Sequence, residues 1–77
     1  MDVTELTTFL TVARAGAITA AARELNTVQS NVTARIRTLE DEIGLPLFER
    51  RSRGMALTEA GQRLLPYAER VLALLRE

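Results

Sequence analysis

The residues best suited to chemistry lie on one side of a segment near the middle of the chain. Between Leu25 and Leu39 there are two arginines and no acid. The outer side of this segment carries amides, hydroxyls and a guanidinium, which belong to Gln29, Ser30, Asn31, Thr33 and Arg37. Amides form paired hydrogen bonds with adenine in the major groove of DNA, and arginine does so with guanine. The segment therefore has the chemistry of a DNA-reading face, for which a plain solvated helix face is the alternative.

A second group of arginines lies about fifteen residues further on, where Arg50, Arg51 and Arg53 cluster within one turn. Arginine makes bidentate contacts to phosphate and is favoured in narrow A·T-rich minor grooves. We expect these three residues to contact phosphates or the minor groove, with Arg53 at the tip as the strongest candidate. Arg50 has an alternative role, because it can form a structural ion pair with Glu49 or Asp41.

A helix is needed to hold the first group in place. Its signature is an apolar stripe at spacings of three and four residues, formed by Val28, Val32, Ile36, Leu39 and Ile43. Gly44 is the residue type expected just beyond the end of such a helix. The outer face described above then lies opposite the stripe, where it is free to contact a partner.

A shorter helix precedes this one. We expect it over residues 20–25, with Thr19 as its N-cap, and we expect Asn26 and Thr27 to form the turn that follows. Thr27 is also the expected cap of the next helix. Two helices joined by a tight turn form a helix-turn-helix, which we place at residues 18–37.

The remaining segments predict two more helices and a hairpin. Thr4 is expected to cap a first helix that runs to about Ala15. Two short apolar segments flank the arginine-rich turn and predict a β-hairpin over residues 46–57, here named the wing. Thr58 is expected to cap a last helix with Glu59 in its first turn, where the helix dipole favours an acid.

The predicted fold class is mainly α. It is a winged helix-turn-helix, with a three-helix core and a short β-hairpin wing, followed by a long last helix that is here named the linker helix. We assign residues 1–58 to the winged helix-turn-helix domain and residues 59–77 to the linker helix.

The linker helix carries an apolar stripe of its own, made of Leu64, Leu65, Ala68, Val71, Leu72 and Leu75. Such a stripe is more often part of the core than of an interface. A domain of this size, however, cannot cover a helix of roughly 20 residues, which is about 30 Å long. We therefore expect the stripe to pair two chains in a homodimer. Pro66 removes one hydrogen bond from this helix, so a bend near Arg63 is expected.

The overall charge is less informative than its distribution. Ten basic and ten acidic residues give a net charge of zero, whereas a DNA-binding domain is expected to be basic. All ten basic residues are arginine. Acids are concentrated elsewhere, notably in the run Glu40–Asp41–Glu42, whose side chains point in different directions on a helix and are expected to be solvated.

Several functional classes are disfavoured by composition. The sequence contains no cysteine and no histidine, which excludes disulfides and the usual soft metal sites. We expect no metal, no cofactor and no enzymatic activity. The N-terminus lacks the basic residues of a signal peptide, and no apolar run approaches the roughly 20 residues of a membrane span. We therefore expect a cytoplasmic protein. The alternative to a DNA-binding protein is a winged-helix module for protein interaction or dimerisation that does not bind DNA.

A set of short motifs in a fixed order identifies a family. It comprises Leu6 and Phe9, Gly16, Ala20–Ala22, Leu25, Gln29, Val32, Thr33, Ile36, Leu39–Glu40, Gly44, Leu47–Arg50 and Leu57–Gly61. With these residues the chain resembles the N-terminal DNA-binding domain of LysR-type transcriptional regulators over all 77 positions.

The resemblance implies a partner set. It implies binding to double-stranded DNA at an interrupted palindrome, a homodimer formed through the linker helix, and a tetramer in the complete regulator. It also implies a C-terminal effector-binding domain, absent from this chain, that senses a small molecule. Within the chain it places Thr19 against the DNA backbone, where a helix N-terminus favours a phosphate. Ser30 and Thr33 are expected near phosphates, and Arg35 either near a phosphate or along the protein surface.

Two positions depart from the family pattern. Val28 stands where the family commonly has a serine that caps the recognition helix, and valine cannot accept a hydrogen bond. A lost cap costs about 1 kcal/mol, which weakens the first turn without abolishing the helix. Ser30 and Asn31 stand where the family often has proline and a small residue. Asn31 adds an amide that can recognise adenine, so we expect it to alter the base preference.

Overall fold

Four helices and one two-stranded antiparallel sheet make up residues 1–76, which are those that this computed structural model describes. The elements are α1 (Val3–Ala15), α2 (Ile18–Glu24), α3 (Gln29–Ile43), β1 (Phe48–Arg51), β2 (Gly54–Leu57) and α4 (Glu59–Arg76). The predicted class, a mainly α winged helix-turn-helix with a long final helix, is confirmed. In these residues no helix combines the length and the apolar character needed to cross a membrane.

One apolar core is shared by all the elements. Its largest fully buried side chains include Phe9 and Val12 from α1 and Val32 and Leu39 from α3. The ring of Phe9 lies 5.4 Å from the ring of Phe48, which brings the start of β1 onto the helical core. Aromatic pairs at this spacing add to the stabilisation that burial provides.

The beginnings of the first three helices differ from the predicted ones. Asp2 caps α1, because its Oδ1 accepts a hydrogen bond from Glu5 N at 2.7 Å, so the predicted cap at Thr4 is wrong. Asp and Thr are both good caps, and the extended backbone of Asp2 decides between them. The predicted cap at Thr19 is also wrong, since α2 begins at Ile18 and its N-cap, Ala17, makes no side-chain bond.

The N-cap position of α3 is occupied by Val28, which has extended backbone angles and makes no side-chain cap bond. The predicted cap at Thr27 is therefore wrong as well. Thr27 lies one residue too early for its hydroxyl to take that role. The side-chain cap bond that Val28 cannot make is therefore missing at the start of α3.

The turn between α2 and α3 is a Schellman motif that ends α2. Asn26 N donates to Arg23 O at 3.2 Å and Thr27 N donates to Ala22 O at 2.9 Å. Asn26 has a φ of 58°, in the left-handed region that few residues other than glycine adopt. The tight turn predicted at Asn26 and Thr27 is confirmed, and its sharpness depends on this left-handed residue.

One backbone hydrogen bond attaches the wing to the loop between α1 and α2, and another closes its base. Met55 N donates to Gly16 O at 2.8 Å, which joins β2 to the loop between α1 and α2. A Cβ atom at Gly54 would collide with this same carbonyl oxygen, so the close approach requires glycine. At the other end, Thr58 N donates to Leu47 O at 3.0 Å and closes the base of the hairpin.

The start of α4 agrees with the prediction. Thr58 Oγ1 accepts from Gly61 N at 3.1 Å and donates to Pro46 O at 2.6 Å, so one hydroxyl caps the helix and fixes the preceding chain. Glu59 occupies the first turn. Gly61 is buried against Leu47 O, where a Cβ atom would collide. The helical run continues through Pro66 to Arg76.

The apolar stripe of α4 is divided between the core and the surface. Ala68 and Leu72, predicted to face a partner chain, are instead buried in the chain's own core, with 1% and 7% exposure. They pack there because α4 lies against α1, where Arg14 also pairs with Glu69. The other members of the stripe divide into the half-buried Leu64 and Leu65 and the exposed Val71 and Leu75.

We expect Asn26→Ala to lower the free energy of unfolding by about 1 kcal/mol, because alanine has no polar side chain to favour the left-handed conformation. Urea unfolding at a fixed protein concentration measures this change. Asn26→Gly is the matched control and should be at least as stable as the parent chain. Equal stability of Asn26→Ala and Asn26→Gly would contradict the assigned role of the turn.

Candidate nucleic-acid interface

The outer face of α3 is the central part of the candidate interface. Val32, Ile36 and Leu39 fix the helix on the core, which turns the opposite side toward solvent. Six residues predicted to contact DNA lie on this helix. Four of them are exposed, namely Gln29, Ser30, Asn31 and Arg37. The other two, Thr33 and Arg35, are half-buried.

A recess of about 250 Å³ lies between the start of α2, the start of α3 and the wing. Its lining includes four of the predicted residues: Thr19, Gln29, Arg50 and Arg51. These residues are up to 32 positions apart in sequence, and the contact of Gly16 with the wing brings them together. The polar part of its lining therefore consists of hydroxyl, amide and guanidinium groups, beside the apolar Ala17, Ile18 and Met55.

A smaller recess of about 150 Å³ continues along α3 and shares Arg50 with the first. Its lining from α3 is Thr33, Ile36, Arg37 and Glu40, and its lining from the wing includes Phe48 and Met55. Together the two recesses form a continuous polar band from α2 across α3 to the wing. This band contains six of the ten predicted residues.

The other predicted residues lie outside the band. Ser30 is beside it, in a third, shallower depression that also contains Thr19 and Gln29. Arg53 is exposed in the two-residue turn of the wing, between the paired strands. Asn31 is exposed on α3, and Arg35 is half-buried on the same helix; neither lines the recesses described.

The arginines of the wing differ in their ionic partners. Arg51 Nη2 lies 3.0 Å from Glu49 Oε2, as expected for residues two apart on the same face of a strand. The suggested pairing of Arg50 with Glu49 or Asp41 is wrong: within residues 1–76, no ion pair within 4.0 Å involves Arg50 or Arg53. Exposed ion pairs are weak, so Arg51 can exchange Glu49 for a phosphate at little cost.

Asn31 makes a contact that was not anticipated. Its Nδ2 donates to the hydroxyl of Thr27 at 2.8 Å, across one turn of chain. In the sequence, the only indication of this contact is that the amide of Asn31 follows the hydroxyl of Thr27 by four residues. It was missed because Thr27 was expected to bond with the backbone.

The acidic run at the end of α3 is not simply solvated. Glu40 Oε2 accepts from Leu47 N at 2.7 Å and from Phe48 N at 3.4 Å, so this carboxylate holds the start of the wing against α3. Glu42 accepts a hydrogen bond from the Met1 ammonium, and this bond raises the pKa of that amine. Asp41 is exposed. Only the position of Glu40 beside the apolar stripe hinted at its structural role. Within residues 1–76 no group of three acids is arranged to hold a metal ion.

A family model described as bacterial regulatory helix-turn-helix protein, lysR family, matches residues 3–62. The chain belongs to this family. The LysR membership explains why the motifs recognised in the sequence occur in a fixed order. It also fits the arrangement of α2, α3 and the wing around one polar band.

Individual LysR-type regulators are similar to this chain in sequence, which agrees with the family assignment. The chain is 55% identical over 75 residues to the HTH-type transcriptional regulator YofA of Bacillus subtilis (strain 168), covering 97% of this chain and 26% of the relative. It is 50% identical over 72 residues to the HTH-type transcriptional regulator CzcR of Bacillus anthracis, covering 94% of this chain and 25% of the relative. The chain thus spans about a quarter of the length of these regulators.

Solved structures of LysR-type domains are also similar. The crystal structure of a CbnR_DBD–DNA complex matches with a TM-score of 0.92 and 40% identity, covering 96% of this chain and 85% of that one. The BenM_DBD/benA site 1 DNA complex matches with a TM-score of 0.93 and 32% identity, covering 99% and 85%. The family and the fold class predicted from the sequence are confirmed, and so is the role as the helix-turn-helix part of a bacterial transcriptional regulator.

We expect Glu40→Ala to lower the free energy of unfolding by about 1.5–2 kcal/mol, since two backbone N–H groups lose a charged acceptor. Chemical denaturation measures the loss. Asp41→Ala removes the same charge from an exposed neighbour and should change stability by less than about 0.5 kcal/mol. Similar losses for the two variants would mean that charge, and not the bonds of Glu40, determines the effect.

Proposed function

We propose that this domain binds double-stranded DNA sequence-specifically, with α3 in the major groove and the wing on the adjacent phosphates or minor groove. The observation that carries the proposal is the continuous polar band, in which Gln29 and Arg37 of α3 share recesses with Arg50. A face of amides, hydroxyls and guanidinium groups matches the donors and acceptors of base edges and phosphates. The DNA complexes of the similar CbnR and BenM domains support DNA as the partner of this face.

Base readout is assigned to Gln29, Asn31 and Arg37. All three are exposed on α3, and their amide and guanidinium groups can form paired hydrogen bonds with adenine or guanine. Arg37 also lines a recess with Arg50, so its guanidinium lies beside the surface assigned to the backbone. The readout residues and the phosphate-binding residues are therefore neighbours.

Phosphate contacts are assigned to the remaining residues. Thr19, Ser30 and Thr33 supply hydroxyls around the band, and Arg35, a half-buried residue of α3, supplies a guanidinium. The wing arginines, Arg50, Arg51 and Arg53, supply charge on the other side. Contacts of this kind fix the register of a protein on DNA, and the groove contacts then carry the specificity.

The rival function is a winged-helix module that binds protein and not DNA. A titration of mixed-sequence DNA at increasing salt separates the two. A DNA-binding domain loses affinity log-linearly, with a slope of about −0.9 for each phosphate neutralised. Absence of binding at low salt would favour the rival.

We expect Arg53→Ala to weaken binding to all DNA sequences alike and to reduce the magnitude of the salt slope by about 1, because this exposed side chain contacts a phosphate. Fluorescence anisotropy with labelled duplexes at several salt concentrations measures both effects. The control is Arg63→Ala, which removes the same charge from α4, where Arg63 pairs with Glu59. A loss confined to one DNA sequence, or an equal loss in the control, would refute the phosphate contact of Arg53.

We also propose that α4 pairs two chains in a homodimer. Val71 and Leu75 are 42% and 62% exposed on the outer part of the helix, and Leu64 and Leu65 remain half-buried beside the core. Exposed leucine and valine on consecutive turns of one helix are typical of a contact surface. A dimer would present two recognition helices to the two halves of an interrupted palindrome.

The proposal also covers the complete regulator, of which this chain would form the N-terminal part. The relatives are about four times as long as this chain, which supports a C-terminal effector-binding domain beyond the linker helix. The linker helix predicted at residues 59–77 corresponds to α4 (Glu59–Arg76), and its last predicted residue lies outside the described residues. Small-molecule sensing and tetramer formation are assigned to that complete protein. We infer that the regulator is not an enzyme, requires no cofactor for DNA binding, and works in the cytoplasm, where bacterial DNA is located.

We expect Leu75→Glu to raise the dimer dissociation constant at least tenfold, because a charge replaces an apolar contact. Analytical ultracentrifugation of the 77-residue chain measures the constant. Val3→Glu is the control, since Val3 is 52% exposed on α1 and lies outside the proposed surface. A monomeric parent chain, or equal effects of both variants, would count against dimerisation through α4.

A further inference from the structure

We propose that Thr27 is a positioning residue for base readout. Its hydroxyl holds the amide of Asn31 in one orientation, so that the recognition helix presents a fixed donor and a fixed acceptor. The inference rests on the proposed function, since it requires α3 to read DNA. It adds Thr27 to the residues that determine base preference, although Thr27 lies outside the recognition helix and makes no assigned contact with a base.

Thr27 is itself held rigidly. Its backbone N–H donates to Ala22 O at 2.9 Å in the motif that ends α2, and the preceding residue has the left-handed backbone that this motif needs. Threonine is β-branched, so its side chain has few rotamers available. The backbone that carries the hydroxyl is therefore anchored to α2, which packs on the core through Ala21 and Ala22.

Asn31 receives its orientation from this hydroxyl. The amide nitrogen lies 2.8 Å from Thr27 Oγ1, and the asparagine is otherwise exposed on the first turns of α3. An asparagine amide has two N–H donors and one carbonyl acceptor. The bond to Thr27 uses one donor and leaves the other donor and the acceptor free. That remaining pair is what bidentate recognition of adenine requires.

The alternative is that Thr27 only supports the start of α3. Within the described residues, however, the sole hydrogen bond of its side chain is the one with Asn31, and no backbone N–H of α3 donates to it. The N-cap position belongs to Val28, which has no side-chain bond. The hydroxyl thus serves a neighbouring side chain and not the backbone. Holding an exposed amide in advance removes part of the ordering cost that binding would otherwise carry.

The test measures base discrimination at the single half-site position that Asn31 reads. A half-site is first selected from a random duplex pool with the parent chain, and Asn31→Ala identifies the position whose preference disappears. At that position we expect Asn31→Ala to reduce discrimination at least about fivefold, the lower limit for one bidentate pair. Thr27→Val, which removes the hydroxyl but keeps the branched shape, should reduce it about threefold while affinity for non-specific DNA and the melting temperature remain unchanged.

Two further variants make the role specific. Thr27→Ser keeps the hydroxyl and should retain the discrimination of the parent chain. In the Asn31→Ala background, Thr27→Val should cause no additional loss, because the two residues act through one amide.

The outcomes that contradict the positioning role differ from the one that contradicts DNA binding. If Thr27→Val keeps full discrimination, if it lowers the affinity for all sequences equally, or if Asn31→Ala leaves base preference unchanged, the positioning role is overturned and the proposed DNA binding remains. If the parent chain binds no duplex at low salt, the proposed function itself fails.

Discussion

The hydrogen bond from Met55 N to Gly16 O, at 2.8 Å, joins the hairpin to the loop before α2 and determines where the wing lies relative to the recognition helix. The approach is possible because Gly54 has no side chain to strike that oxygen. On the other strand, Glu40 of α3 accepts hydrogen bonds from the backbone of Leu47 and Phe48. The wing is thus held from both sides, and the spacing between its arginines and the outer face of α3 is set by backbone contacts.

This arrangement explains how a chain with no net charge can still present a cationic surface. Several acids are engaged in structural contacts: Glu40 binds backbone N–H groups, Glu42 binds the N-terminus, and Glu59 and Glu69 pair with arginines of the helices. The arginines of the wing are left largely without acidic partners. Local charge at a binding face, and not the sum over the chain, governs attraction to a polyanion.

Periodicity and turn chemistry were enough to predict the helices and the hairpin, because each depends on neighbours within a few residues. The family was identified from the order of short motifs along the whole chain. What escaped prediction depends on a choice between neighbouring residues or on tertiary contacts. The N-caps of α1 and α3 are Asp2 and Val28, which have extended backbone angles, and not the nearby threonines Thr4 and Thr27. The burial of Ala68 and Leu72 depends on how α4 lies across α1, which a helical stripe does not encode. The polar band joins residues from α2, α3 and the wing, so its members could be nominated singly but their grouping could not.

The structure also separates stability from specificity along α3. Its inner residues, Val32, Ile36 and Leu39, are buried, so changing them would cost core packing. Its outer residues are exposed, and substitutions there are generally tolerated by the fold. New base preferences can therefore arise on this helix without loss of folding. The contact between Thr27 and Asn31 connects the two properties, because a turn that ends α2 also orients a side chain at the reading face. Changes in this turn should consequently affect recognition even where the recognition helix itself is unaltered.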